Sequence, residues 1–186
     1  MQGLSALGEP PKKLQILDGC FEHFARHGYH GLSMRRLAQK LGFTTGALYH
    51  HYRSKSELFC DLVSFHSKGD IAALHNHLEN QGSYIEQASA LVDFLEERQL
   101  YFRKMIMIVL DLQRERGMGQ GIDAARRRVT SALQQYREFL RQELDLSEPE
   151  SQGLLSLIIG TFVQKEIDPK RVRFSDLRNY LLALRM

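Results

Sequence analysis

Between Phe43 and Phe59 the chain reads FTTGALYHHYRSKSELF. Thr44, Thr45, Tyr49, His50 and Lys55 all carry side chains that can donate a hydrogen bond. Gly46 and Ala47, set between them, leave the backbone slim enough for a close approach. Donors around a slender helix start suit the holding of anionic phosphate oxygens and base edges rather than bond breaking.

Other chemistry-bearing groups carry less. His23 and His27 stand four apart on one helical face, a spacing able to chelate a metal. No third ligand is near in sequence, so no metal site is expected. His75 and His77 are two apart and point different ways on a helix. Gly117-Met118-Gly119-Gln120-Gly121 has the glycine content of a phosphate loop but not its spacing, and no strand precedes it. It reads as a connection. There is no HExxH, Walker loop, nucleophile elbow or acid–base pair on a rigid frame. The expectation is therefore no enzyme activity and no cofactor.

Charge points the same way as the opening stretch. The formal net charge of the 186 residues is +3. Residues 12–68 hold nine Lys and Arg against four Asp and Glu, and six of the eight histidines. The rest of the chain is close to balanced. A basic first third implies a polyanionic partner for that third. The composition, 43% hydrophobic and 25% charged, is that of a globular protein, and no apolar run is long enough to span a membrane. The N-terminus lacks the pattern of a cleaved export signal. Cys20 and Cys60 read as small hydrophobes in a reducing compartment, a redox pair being the alternative. The cytoplasm is the expected location.

The elements that must hold these groups are helices throughout. Leu14, Leu17, Cys20, Phe21 and Phe24 form one apolar face, with Gly19 placed for close packing and Gly28 as a stop. Ser33 caps a short second helix with Leu37, Ala38 and Leu41 inward, and Gly42 ends it. Thr44 caps a third helix over about 45–51 with Leu48 inward. Ser54 and Glu57 make a capping box for a long fourth helix, about 55–79, carrying Phe59, Leu62, Val63 and Phe65. Ser83…Glu86 and Ser147…Glu150 repeat that signature. Residues 85–112 read as two helices broken near Glu97–Leu100, followed by helices over about 122–144 and 148–166 and a last one from Ser175. The fold class is all-α, with about nine helices.

Three short helices with a glycine turn between the second and third satisfy the helix-turn-helix pattern. Residues Ile16 to Val63, ILDGCFEHFARHGYHGLSMRRLAQKLGFTTGALYHHYRSKSELFCDLV, resemble the N-terminal DNA-binding domain of the TetR family of transcriptional regulators. The resemblance covers about a quarter of the chain. It implies phosphate or base contacts for Ser33, Arg35, Thr44, Thr45, Gly46, Ala47, Tyr49, His50 and Lys55, with Arg36 a further candidate and Arg53 a secondary one. Gly19 and Cys20 stand where the family usually has a pair of small residues, often alanines, a departure that touches packing rather than readout.

The implied organisation is a flexible N-terminus (1–11), a helix-turn-helix domain (12–53, motif about 33–52) and an effector-binding and dimerisation domain (54–186), the fourth helix linking the two. Phe94, Phe102, Ile106, Met107, Leu110 and Phe139 are candidate pocket walls, with Tyr101, Gln113 and Gln164 as polar contacts; helical spacing alone reads the apolar ones as core. LLSLIIGTFV, residues 154–163, is apolar almost all round. Leu155, Ile158, Ile159 and Phe162, with Tyr180, Leu181 and Leu184, are the candidate homodimer face; the other reading is domain core. The expected function is a DNA-binding repressor released from double-stranded operator DNA by a small apolar or aromatic effector. The alternative is a small-molecule-binding helical protein whose N-terminal domain makes protein contacts.

Overall fold

The computed structural model describes residues 12–114 and 120–183, and every regular element among them is a helix. A head of three short helices, α1 (Lys12–His27), α2 (Met34–Lys40) and α3 (Thr45–His51), is followed by the long α4 (Lys55–Leu78). The remainder is α5 (Tyr84–Glu97), α6 (Gln99–Arg114), α7 (Gln120–Glu143), α8 (Glu148–Ile167) and α9 (Phe174–Ala183). Of the glycine-rich loop, residues 117–119 lie outside the described residues, and Gln120 and Gly121 open α7.

Side-chain caps decide where most of these helices begin. Ser33 Oγ accepts from Arg36 N at 3.2 Å and Thr44 Oγ1 from Ala47 N at 3.1 Å. Ser54 Oγ accepts from Glu57 N at 3.1 Å, while the Glu57 carboxylate reaches back to Arg53 N at 2.7 Å. Ser83–Glu86 and Ser147–Glu150 are reciprocal capping boxes. Each cap contributes about 1 kcal/mol. The last helix differs from the sequence reading. It starts at Phe174, and Asp176 rather than Ser175 accepts from the backbone N–H of Arg173, at 3.3 Å.

Two apolar cores result. One joins Leu17, Phe24, Leu37, Leu48 and Phe59 of the head and α4 to Ile108, Leu112 and Val129 of α6 and α7. The other gathers Leu78, Leu91, Leu144, Phe162 and Leu181 at the far end. The head is thus rooted in α6 and α7 as well as in α4. Leu14 and Phe65 were expected to face inward, but they lie at the margins of their helix stripes and are 37% and 38% exposed. Gly19 has the packing role foreseen for it: an added Cβ would stand 2.5 Å from Leu41 Cδ2. Cys20 and Cys60 are free thiols, and burial pushes Cys20 up to about 12.

Polar ties fix the head to α4 and α6. Lys13 pairs with Asp61 at 2.6 Å, and Lys104 holds both Glu22 oxygens at 2.8 Å. Asp111 Oδ2 accepts from His30 N at 3.4 Å, where Gly28 (φ 68°) turns the chain. A side chain at Gly28 would collide with that carboxylate.

Candidate functional site

The head exposes most of the groups that the sequence singled out. Leu48 is fully buried and pins α3, so Gly46, Tyr49 (49% exposed) and His50 face outward. Thr45 and Ala47 are half-buried. The amides of Thr45 and Gly46 belong to the first helical turn, which has no intrahelical acceptors. Ser33 and Thr44 spend a lone pair on their caps and keep the hydroxyl hydrogen to donate outward. Arg35 and Arg36 are exposed on the neighbouring α2; Arg36 also donates to Gly31 O at 3.2 Å.

Gly46 carries the most information. A Cβ built on it meets nothing within 4 Å, and it is not among the residues of positive φ. The protein's own packing gives no reason to prefer glycine there, although glycine costs a helix roughly 1 kcal/mol relative to alanine. Gly46 thus leaves bare backbone on an exposed face of α3.

Lys55 has a role that the sequence did not reveal. Its ammonium donates to Tyr29 O at 2.7 Å and Leu32 O at 2.8 Å, and lies 4.2 Å from the centre of the Tyr29 ring. It fastens the α1–α2 turn to α4, which explains a cation in a first helical turn without any phosphate opposite. His23 and His27 sit near Lys40, and burial followed by that cation holds both imidazoles below the ordinary histidine range.

Between α4, α5, α6, α7 and α8 lies a cavity of about 350 Å³. Of the candidate pocket residues, Phe94, Phe102, Ile106 and Leu110 line it, and so does Gln113. Met107 and Phe139 do not. Met107 is 41% exposed because its position on α6 turns it outward, and Phe139 packs against the His75 ring at 6.4 Å. Gln164 is exposed on α8 and does not line the cavity, while Tyr101 stands behind the wall.

Sequence reasoning missed the polar centre of this cavity. Asp70 of α4 is 3% exposed. Its Oδ2 accepts from Tyr101 Oη at 2.7 Å and Tyr136 Oη at 2.8 Å, and its Oδ1 from Arg98 at 2.9 Å. Burial raises the Asp70 pKa; the two tyrosine hydrogen bonds and then Arg98 act against it. A protonated Oδ2 could not accept well from two hydroxyls, so the geometry is that of a carboxylate. His66, one turn before Asp70, meets Tyr101 Oη at 3.2 Å. The sequence signal was an acid and a histidine four apart on α4, too common to distinguish from a solvated face.

The dimer expectation changes most. Leu155, Ile158, Ile159 and Phe162 line the cavity, and Leu181 is fully buried. The apolar run of α8 supplies one wall of the cavity, so those side chains face into the same chain. Leu184 lies outside the described residues. Facing outward are Gln152, Gly153 and Ser156 of α8, with Ile167 (80% exposed) and Tyr180 of α9 (52%). Gly153 and Gly160 have open space where a side chain would stand.

Residues 16–62, spanning the head and the start of α4, match the family described as bacterial regulatory proteins, tetR family. The likeness in sequence to the TetR family is that of these residues, about a quarter of the chain. The HTH-type transcriptional repressor Rv1474c of Mycobacterium tuberculosis is 46% identical over 52 residues, 28% of this chain and 28% of that protein. The matched part spans about a third or less of the curated relatives, at 28%, 32% and 27% of their lengths. Solved structures extend the likeness to the whole fold. The multidrug binding protein EbrR complexed with malachite green superposes with a TM-score of 0.71 at 17% identity, over 94% of this chain and 98% of that one. The fatty acid degradation regulator FadR of Bacillus halodurans gives 0.70 at 16% identity, over 95% of each chain. At such identities the likeness beyond the head is one of fold alone.

Proposed function

We propose that the protein is a homodimeric transcriptional repressor that binds operator DNA through α2 and α3 and leaves it when a small molecule enters the cavity. Gly46 is the observation that carries the DNA part: a backbone laid bare on an exposed helix that its own fold leaves uncovered. In this reading the front of α3 enters the major groove, Tyr49 and His50 reach backbone or bases, and the Ser33 and Thr44 hydroxyls donate to phosphates. Arg35 and Arg36 supply charge from α2. Lys55 acts mainly by holding the α1–α2 turn beneath them. Residues 12–53 are the reading head and 54–186 the sensor and dimer part, in the cytoplasm.

Two heads are needed to read two half-sites. The outward faces of α8 and α9, with Tyr180 and the open backbone at Gly153 and Gly160, are the proposed contact with the second copy. The names of EbrR, a multidrug binding protein, and FadR, a fatty acid degradation regulator, support a small-molecule effector here. α6 lines the cavity and grips the head through Lys104 and Asp111, so a ligand that moves α6 re-aims the head. A hundredfold loss of operator affinity needs about 2.7 kcal/mol of coupling.

The test is selection of bound fragments from genomic DNA by the purified protein, followed by titration of a selected duplex at several salt concentrations. Specific binding that weakens steeply with salt is expected. A protein that retains no fragment at low ionic strength would remove this reading.

A further inference from the structure

The chemistry of the cavity wall limits what can enter. Among the described residues lining it, Asp70 is the one acid, and there is no lysine, arginine or histidine. Polar atoms come otherwise from Ser67, Gln113, Thr130 and Tyr136. A carboxylate or phosphate brought into such a space would face an acid with no lining cation to offset it, a heavily disfavoured burial.

A cation finds the opposite situation, and the protein already holds one nearby. The Arg98 guanidinium pairs with Asp70 Oδ1 and lies 4.9 Å from the Phe94 ring centre, 4.8 Å from Tyr101 and 5.5 Å from Phe102. Phe94 and Phe102 are also cavity walls. The same carboxylate and ring faces therefore border the cavity on one side and cage a cation on the other. Arg98 has a way out to solvent. Its side chain is 33% exposed, and it is the residue that separates α5 from α6.

We propose that the cavity takes an apolar molecule bearing one cationic nitrogen, an amine or amidine, and that this group replaces Arg98 at Asp70. One buried carboxylate offsets one charge, and two cations on it would leave a net positive charge in the apolar interior. The ligand and Arg98 consequently compete. On displacement Arg98 swings into solvent, and the corner between α5 and α6 loses one of its ties to α4, Tyr101 keeping the other. α6 is the helix that holds Glu22 through Lys104 and the Gly28–His30 turn through Asp111, so the loss is felt in the head. This rests on the reading of the cavity as an effector site and adds to it the charge of the effector and the residue that it displaces.

The experiment uses three probes with one apolar body: phenylhexylamine, phenylhexanol and phenylhexanoate. Each is titrated calorimetrically into the full-length protein at neutral pH, and into Arg98→Ala and Asp70→Asn. The amine is expected to bind at least about tenfold tighter than the alcohol, with the carboxylate weakest. Arg98→Ala removes the competitor, so the amine tightens several-fold while the alcohol changes little. Asp70→Asn brings the amine down to the alcohol's affinity; should that variant not fold, the Arg98→Ala titration decides alone. Equal or better binding of the alcohol or carboxylate overturns the proposal, as does an amine indifferent to Arg98→Ala or a failure of all three probes to bind. Titration of a selected DNA duplex runs alongside. Duplex binding without amine preference sinks the cation proposal and leaves the repressor reading standing. Amine preference without duplex binding does the reverse.

Discussion

In the proposed function the head and the cavity each receive a partner, yet they are built in opposite ways. The head draws its candidate contact groups from a short span, Ser33 to His50, on two helices of seven residues each and their caps. The cavity draws its wall from five helices, Val63 of α4 through Phe162 of α8. In the head, exposed donors face solvent and a glycine lies bare. Around the cavity the polar groups have turned on each other: two tyrosines and an arginine satisfy one aspartate. A surface for a highly charged, water-accessible partner can leave its donors to water. A buried wall must satisfy its polar atoms when empty, because an unpaired buried group costs about 1–3 kcal/mol and a buried charge more.

The largest expected effect falls on the cavity side. Asp70→Ala leaves the Arg98 guanidinium and two buried hydroxyls without their acceptor. Stability should fall by about 3 kcal/mol, read as a lower denaturation midpoint with unchanged dependence on denaturant. A change below about 1 kcal/mol would mean that the network is incidental and that the cavity resembles the head more than the comparison holds.

Next comes Lys55, where the head departs from its own rule. Lys55→Ala removes charged hydrogen bonds from the carbonyls of Tyr29 and Leu32 and the cation above the Tyr29 ring. A loss of about 2 kcal/mol in stability is expected. Operator binding should weaken as well, because the α1–α2 turn loosens. Unchanged stability with lost DNA affinity would restore Lys55 to a phosphate.

A smaller effect separates fold from function within α3. Gly46→Ala should raise stability by about 0.5–1 kcal/mol, since nothing surrounds the new methyl and alanine favours the helix. The same methyl should weaken operator binding by about tenfold, ~1.4 kcal/mol, by holding the helix off the groove. Tyr49→Ala should weaken operator binding with little change in stability, its ring being half exposed. A Gly46→Ala protein that binds DNA as tightly as before would break the contrast, because the bare backbone would then serve nobody.

What was legible in the chain follows the same division. Caps and periodicity are local, so Ser33, Thr44, Ser54, Ser83 and Ser147 announced their helices and the break between Glu97 and Gln99 was visible. The stretch from Phe43 to Phe59 stood out because its unusual residues are neighbours in sequence. The part Lys55 plays in the fold was hidden because its carbonyl partners lie 26 and 23 residues away. Asp70 was silent for the same reason, with Arg98, Tyr101 and Tyr136 brought to it from 28, 31 and 66 residues off. α8 misled by composition. A helix apolar on every side reads as having a face to spare, but a cavity consumes apolar surface without supplying atoms to fill it. Ile158 and Phe162 therefore looked available for a second copy when they face an empty space in their own.

The finest expected effect concerns protons, and it again sets the two regions against each other. His66, beside the Asp70 network, has its pKa lowered chiefly by burial; Asp70 and Asp18 act the other way, and Arg98 adds to the lowering. Its Nε2 is buried with no hydrogen-bond partner among the described residues, so a proton there would be poorly solvated. The folded state thus prefers the neutral ring, while the unfolded chain titrates near 6.5. Between the lowered value and about 6.5 the unfolded state binds more protons, so this contribution to stability is complete above about pH 6.5 and lost as pH falls below it. His23 and His27 on the head carry shifts of the same sign, so the whole protein should lose stability on mild acidification. His66→Phe keeps a ring against Phe21, Phe65 and Tyr101 and removes the proton site. Its melting temperature should fall less between pH 7 and pH 5.5 than that of the parent. An equal fall in both would assign the acid sensitivity to the head histidines, near Lys40 and the exposed arginines, instead of to the buried wall.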